Sequence, residues 1–186
     1  MNDRFVNNRI LESVFRPQYR YGCAIAALTT VLNYLYSSRL GIITQEQIGR
    51  ELNLEIRDIG TKIDPGNKEI MEWFCRFMKK RKLNGKVRVY TDNGTNKYFE
   101  ALKLVVDSPH KILMYHLENH YNIVCGFYDS PTTPTDAYSN DSNAEGWLIF
   151  ADSNNDPIWC RSWNDVLKSF KRWRSHCLLL FESQMG

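Results

Sequence analysis

The segment RPQYRYGCAIAALTTVLNYL, from Arg16 to Leu35, changes from a polar, aromatic loop to an apolar run at one cysteine, Cys23. After that cysteine, large apolar residues recur at three- and four-residue spacings: Ile25, Leu28, Leu32 and Leu35. This spacing predicts a helix over Cys23 to Ser37 with one buried face. Cys23 therefore stands at the loop-to-helix junction, where it is either a small core residue or a residue placed to react.

Two more helices are predicted in the first half of the chain. Thr44 and Gln47 have the spacing of a capping box, so a helix begins there. In the run from Pro65 to Lys82, large apolar residues fall on one side of a helix: Ile70, Trp73, Phe74, Phe77 and Met78. We expect Cys75, inside this helix, to be a packing residue.

Strands dominate the second half. After a first strand at Lys86–Tyr90 and a helix in KYFEALKLVV, five runs have strand character: Lys111–Leu117, His120–Tyr128, Gly146–Asp152, Pro157–Trp163 and Cys177–Ser183. A further helix is predicted in NDVLKSFKRW. Short connections between strands favour an antiparallel sheet. We predict an α+β fold in one domain, residues 1–186, with a helical half that carries Cys23 on a central helix packed against the sheet.

Composition excludes several classes of function. The formal charge of +3 is too small to favour nucleic acid, and the basic clusters Lys79–Lys82 and Lys171–Arg174 fall at predicted helix ends, where cations suit the helix dipole. No run of about 18 apolar residues exists to span a membrane, and the N-terminus lacks a signal-peptide core. We expect a soluble cytoplasmic protein, or one delivered to the cytosol of another cell by a route that the sequence does not show.

The five cysteines contain no CxxC pair, which argues against a disulfide framework and against a zinc knuckle. Reduced thiols in a cytosol fit better. Cys125, Cys160 and Cys177 lie in apolar strands, and we expect them to pack in the core. Cys23 is the remaining candidate for a nucleophile.

A thiol attacks as the thiolate, and both a helix N-terminus and a nearby histidine favour that form. Among four histidines, His120 is the best candidate because it begins an alternating strand beside a turn. Asp152 ends the next strand and is placed to orient the imidazole if the two strands are neighbours, with Asn154 or Asn155 as the fallback. Gln18, together with the backbone N–H of Cys23, is a candidate donor to an oxyanion.

A metal site is the alternative for the histidines. His116 and His120 stand four residues apart, a spacing that suits zinc when both lie on one helix. Here a turn separates two predicted strands, and HLENH does not match HExxH. We therefore expect no metal ion and no cofactor.

The order glutamine, cysteine, histidine, aspartate resembles that of the papain-like cysteine peptidase superfamily. The nearer likeness is to the double-glycine leader peptidases of bacteriocin exporters and to phytochelatin synthases. QYRYGCAIAALTTVLNYL is similar to their nucleophile segment, HYNIVCGFYD to their histidine strand and WLIFADSNND to their aspartate strand. The resemblance implies a papain-like fold with Gln18 at the oxyanion, Cys23 as nucleophile, His120 as base and Asp152 as orienter.

The resemblance implies a thiol-dependent amide-bond hydrolase that acts through an acyl-enzyme thioester. Its substrate would be a peptide or protein, including a protein of a host cell. Transpeptidation or deamidation on the same fold, and an inactive relative that only binds peptides, are the alternatives. We also expect the polar loop Asp129–Gly146, between the histidine and aspartate strands, to border the cleft.

Overall fold

The computed structural model describes residues 4–14, 18, 22–54, 65–90, 96–117, 120–133, 144–153, 157–172 and 176–184. Within these residues the helices are α1 (Asn8–Val14), α2 (Cys23–Leu40), α3 (Gln45–Leu52), α4 (Asn67–Arg81), α5 (Asn96–Asp107) and α6 (Trp163–Arg172). The strands are β1 (Arg4–Val6), β2 (Gly85–Tyr90), β3 (Lys111–Leu117), β4 (His120–Pro131), β5 (Ala144–Ala151), β6 (Ile158–Ser162) and β7 (Cys177–Ser183).

All described strands belong to one antiparallel sheet. Its order is β2-β7-β3-β4-β5-β6, and β1 pairs with the far part of β4. Strands β3, β4, β5 and β6 follow one another along the chain and are neighbours in the sheet. The predicted α+β class and the antiparallel sheet are confirmed.

Strand β7 shows why the sheet is covered on both faces. Leu179 and Phe181 pack with α2 and α4 in one apolar cluster, whereas Leu178 and Leu180 pack in a second cluster with α5 and α6. Successive side chains of a strand point to opposite faces, so an uninterrupted apolar run has to be buried on both. The helices therefore form two layers around the sheet rather than the single helical half that the sequence predicted.

The central helix α2 begins at Cys23, as predicted, and most of its side chains are buried. The capping box of α3 is also confirmed: the Gln47 N–H donates to Thr44 Oγ1 over 3.3 Å, and the Thr44 N–H donates to Gln47 Oε1 over 2.8 Å. Helix α4 buries the predicted apolar face and ends at Arg81, with Lys82 as a left-handed C-cap. Helix α6 ends at Arg172, and the other half of the second basic cluster, 173–174, lies outside the described residues.

Two of the expected packing cysteines are exposed, so those expectations were wrong. Cys75 faces solvent because the buried face of α4 is defined by Phe74 and Phe77, and a residue directly after Phe74 is turned about 100° away. Cys160 lies on the edge strand β6, whose side chains alternate in exposure. Cys125 and Cys177 are buried, as expected.

Strand β1 and helix α1 were not predicted, because three and seven residues are too short to show a clear periodicity. The backbone of β1 approaches β4 closely at Gly126, where an added Cβ would lie 2.5 Å from the carbonyl oxygen of Phe5. A register irregularity at Cys125, between Val124 and Gly126, bends β4 at this point. The glycine therefore lets β1 pair beside the bend.

The loop between β4 and β5 does not leave the sheet where we expected. In the register of the hairpin, Ile123 pairs with Ala151 at one end and Pro131 pairs with Ala144 at the other. Pro131 is eleven residues from His120 and Ala144 is eight residues from Asp152, so the stems of the loop lie about 36 Å and about 27 Å along the strands from these residues. The two ends of the predicted loop, 129–131 and 144–146, belong to the strands. Residues 134–143, on which the expectation that the loop borders the candidate site depends, lie outside the described part of the chain.

Among the described residues, no helix combines the length and the apolar character needed to cross a lipid bilayer.

Candidate functional site

Cys23 occupies the first position of α2, and Gly22 is the N-cap. No side chain caps this helix end through a hydrogen bond, and the first turn contains no acidic residue. The partial positive charge of the helix N-terminus is therefore not neutralised by its own first turn. The cysteine is partly buried against the α2–α4 side of the core.

His120 and Asp152 meet because β4 and β5 are paired. His120 begins β4 and Asp152 directly follows β5, whose last residue Ala151 is opposite Ile123. The Nε2 atom of His120 lies 2.8 Å from both carboxylate oxygens of Asp152. The Asp152 N–H donates to the carbonyl of Pro157 over 3.1 Å, which holds the carboxylate at the strand end. The fallback residues Asn154 and Asn155 lie outside the described residues.

The imidazole of His120 is also hydrogen-bonded to Cys23. Burial of the ring lowers the pKa of His120, but the hydrogen bonds to Asp152 and Cys23 and the negative charges of both outweigh burial and raise the pKa from 6.5 to about 9. His120 therefore carries a proton at neutral pH. The structure thus places a positively charged imidazolium beside the sulfur of Cys23.

Gln18 lies at the same site. Its side-chain oxygen accepts a hydrogen bond of 2.7 Å from the Ser153 hydroxyl. This hydrogen bond joins Gln18 to the segment that carries Asp152. Ser153 was not predicted as a site residue. Its position directly after Asp152 is the signal that could have indicated it.

Two of the other four cysteines are buried. Burial raises the pKa of both Cys125 and Cys177 to about 12, so these thiols stay protonated. His116 is not part of the site: it is buried, and its ring stacks on Tyr121 at a centroid distance of 4.2 Å. Within the described parts of the chain, no group of three or more His, Cys, Asp or Glu side chains is arranged to hold a metal ion.

Comparison with known proteins identifies a family. Residues 1–180 match the family model described as basic immunoglobulin-like variable motif-containing protein. A protein of that name from Giardia intestinalis is 30% identical over 135 residues, which is 66% of this chain and 49% of the relative. The human protein of that name is 27% identical over 175 residues, covering 83% of this chain and 35% of the relative. The Xenopus tropicalis protein is 28% identical over 176 residues, with the same shares of 83% and 35%.

The chain thus spans at most about half the length of these relatives. None of the three is named as a peptidase. The assignment to the papain-like cysteine peptidases is therefore wrong, and with it go the expected amide-bond hydrolase, its transpeptidase and deamidase alternatives and the inactive peptidase relative. The physical reason is that one arrangement of cysteine, histidine and aspartate recurs on unrelated folds, so a match in residue order does not establish descent. The match over residues 1–180 shows instead that the chain belongs to the basic immunoglobulin-like variable motif-containing family.

Proposed function

We propose that Cys23 is a reactive thiolate, that His120 is its counter-ion and that Asp152 holds His120 in place. In this proposal the arrangement keeps the sulfur of Cys23 nucleophilic and within reach of a peptide or protein partner. The observation that carries it is the pair of 2.8 Å contacts from Nε2 of His120 to Asp152, on a ring that also bonds to Cys23.

In a reaction with an electrophile, the sulfur of Cys23 acts as a nucleophile. The thiolate donates its electron pair to the electrophilic atom, and the new bond to sulfur forms while the bond to the leaving group breaks. The leaving group departs with its electron pair. Because Asp152 fixes the orientation of the ring, the positive charge of His120 stays beside the sulfur.

The surroundings of the site support the same proposal. Cys23 is partly exposed, so a partner can reach it, whereas Cys125 and Cys177 are buried. The helix N-terminus adds its own partial positive charge beside the sulfur. A thiolate of this kind persists in a reducing compartment, so cytoplasmic localisation is part of the proposal.

Alkylation by iodoacetamide tests the proposal directly. The native protein is treated with a limiting amount of reagent at about pH 6, where ordinary thiols are protonated. The sulfur then displaces iodide, and mass spectrometry of peptides reports the rate at each cysteine. We expect Cys23 to react faster than the more exposed Cys75 by about tenfold or more, because charge rather than exposure decides the rate.

Two variants test whether His120 and Asp152 cause the fast alkylation of Cys23. His120→Ala and Asp152→Asn should both slow alkylation of Cys23, while Asp165→Asn, which makes the same change of carboxylate to amide on the exposed start of α6, should leave it unchanged. Circular dichroism confirms that each variant is folded. If Cys75 reacts at least as fast as Cys23 in the native protein, Cys23 is an ordinary thiol and the proposal fails.

A further inference from the structure

A second cavity lies at the other end of β4 from the Cys23 site. It has a volume of about 480 Å³ and is formed by β1, β4 and the outer face of α5. Phe127 in its wall is seven residues along β4 from His120, a separation of about 23 Å. The cavity therefore belongs to a different surface, and the inference below is independent of the chemistry of Cys23.

The wall of this cavity is apolar. Phe5 of β1 and Phe127 of β4 contribute stacked rings with centroids 5.6 Å apart. Helix α5 contributes Leu104, whose side chain is 75% exposed although its neighbours Val105 and Val106 are buried. A single exposed leucine is common on protein surfaces. Here the leucine lies at the opening of an aromatic hollow of the size that binding sites have.

The positive charge at the cavity is that of Lys103, which pairs with two carboxylates. Lys103 has a side chain that is only 8% exposed, and its ammonium group lies 2.7 Å from Asp129 and 2.9 Å from Glu100. It also lies over the ring of Phe127, 5.6 Å from the centroid. Its positive charge is therefore compensated within the protein by the partly buried carboxylate of Asp129 and the exposed carboxylate of Glu100.

The rim of the cavity carries negative charge. Glu100 and Asp107 are exposed and line the cavity at opposite ends of the same helix face, with Leu104 between them. They are seven residues apart, which is about 10 Å along a helix. The lining residues thus include one cation, Lys103, and two carboxylates, and Asp129 pairs with Lys103 beside them, so the cavity is apolar in its wall and acidic in net charge.

We infer that this cavity binds a segment of a partner protein that inserts one aromatic or large aliphatic side chain between two basic residues. In an extended segment, side chains two positions apart point to the same face, so an apolar residue with one basic residue two positions before it and another two positions after it presents all three to one surface. The two basic residues are then about 13 Å apart along the backbone, and their long side chains can reach carboxylates that are about 10 Å apart. The apolar side chain fills the hollow at Phe5 and Phe127, and the two cations meet the two exposed carboxylates. Such charge complementarity selects a basic segment over an acidic one.

Two short peptides test the inference on the full chain. The first is acetyl-Lys-Gly-Phe-Gly-Lys-amide and the second is acetyl-Glu-Gly-Phe-Gly-Glu-amide, which has the same apolar side chain and the opposite charge. Each is titrated into ¹⁵N-labelled protein at about 0.05 M salt, where surface charges are weakly screened. We expect the lysine peptide to shift backbone resonances of Phe5, Phe127 and residues 100–107 saturably, with an affinity about tenfold or more above that of the glutamate peptide.

Matched serine variants locate the site. Leu104→Ser should weaken binding of the lysine peptide by about threefold or more, because it removes apolar surface from the opening. Ile42→Ser, which replaces another apolar side chain that is 67% exposed on a different surface, should leave the affinity unchanged. Equal binding of the two peptides, shifts elsewhere than this cavity, or no saturable binding would each overturn the inference. Shifts of the same resonances on raising the protein concentration alone would show that a second copy of the chain is the occupant, and would overturn it too.

Discussion

His120 keeps its proton at neutral pH because of the two side chains that it contacts. Both carboxylate oxygens of Asp152 lie within hydrogen-bond distance of one ring nitrogen of His120, and Cys23 is hydrogen-bonded to the same ring. The side chains of His120 and Asp152 are only 27% and 12% exposed, so water screens this pair weakly. The pair therefore influences stability as well as reactivity.

Replacing Asp152 with asparagine should reduce stability in a pH-dependent way. The pKa of His120 is about 9 in the folded protein and 6.5 when it is unperturbed. Such a difference corresponds to about 3 kcal/mol of stability, which is fully present below about pH 6.5 and is lost as the pH rises through about 9. Denaturant unfolding should show a larger loss for Asp152→Asn at about pH 6 than at about pH 9.5.

Asp165→Asn is the matched control for this experiment. It makes the same change of carboxylate to amide in the Asp165–Lys168 pair, whose side chains are largely exposed. Its effect on unfolding should be small and nearly constant over the same pH range, because exposed ion pairs are weak. A loss for Asp152→Asn that does not depend on pH would mean that His120 is not held in its charged form.

Much of the candidate site follows from the sequence, because a strand that begins with histidine and a neighbouring strand that ends before aspartate bring both residues to one sheet edge. The position of Cys23 followed from the change of periodicity after it. The hydrogen bond between the side chains of Gln18 and Ser153 could not be predicted, since it joins residues 135 positions apart and depends on the path of two loops. The order of four site residues led to a wrong family assignment, because family membership is established by similarity over the whole chain.

At the scale of elements, regular patterns predicted well and short or edge elements did not. Helices α2, α3 and α4 followed from apolar spacing and one capping box. Strand β1 was missed because three residues show no periodicity. The exposure of Cys75 was readable from its place next to the buried face of α4, whereas the exposure of Cys160 required knowing that β6 is an edge strand.

Gly146 sets how closely β5 and α5 approach one another. An added Cβ at this position would overlap the ring of Phe99, which is buried between α5 and the sheet. We expect Gly146→Ala to lower the free energy of unfolding by about 1–3 kcal/mol, because the ring has no room to move aside in a packed layer. Denaturant unfolding at neutral pH measures the change.

Combining Gly146→Ala with Phe99→Leu tests the cause of that loss. The smaller side chain should leave room for the added methyl group, so the glycine substitution should cost less in the Phe99→Leu background than in the native one. If the cost is the same in both backgrounds, the backbone conformation of Gly146 rather than its contact with Phe99 determines the residue there.

At the scale of the whole molecule, one sheet joins two helical layers. An immunoglobulin domain is a sandwich of two sheets, whereas the described residues here form one antiparallel sheet with α2 and α4 on one face and α5 and α6 on the other. The two candidate sites lie at opposite ends of β4, one at His120 and one at Phe127. Strand β4 is therefore the structural link between them.

Because β7 sends alternate side chains into both layers, the layers should unfold together. Trp73 is buried in the α4 layer and Trp163 in the α6 layer, so ¹⁹F NMR of 5-fluorotryptophan can follow each layer separately. Leu180→Ala removes a side chain from the α5–α6 side only and should cost about 2–5 kcal/mol. We expect it to lower the denaturant midpoint of the Trp73 and Trp163 signals equally, since a loss on one face of a shared strand destabilises the whole sheet. Loss of the Trp163 signal at a lower denaturant concentration than the Trp73 signal would show instead that each layer is its own cooperative unit.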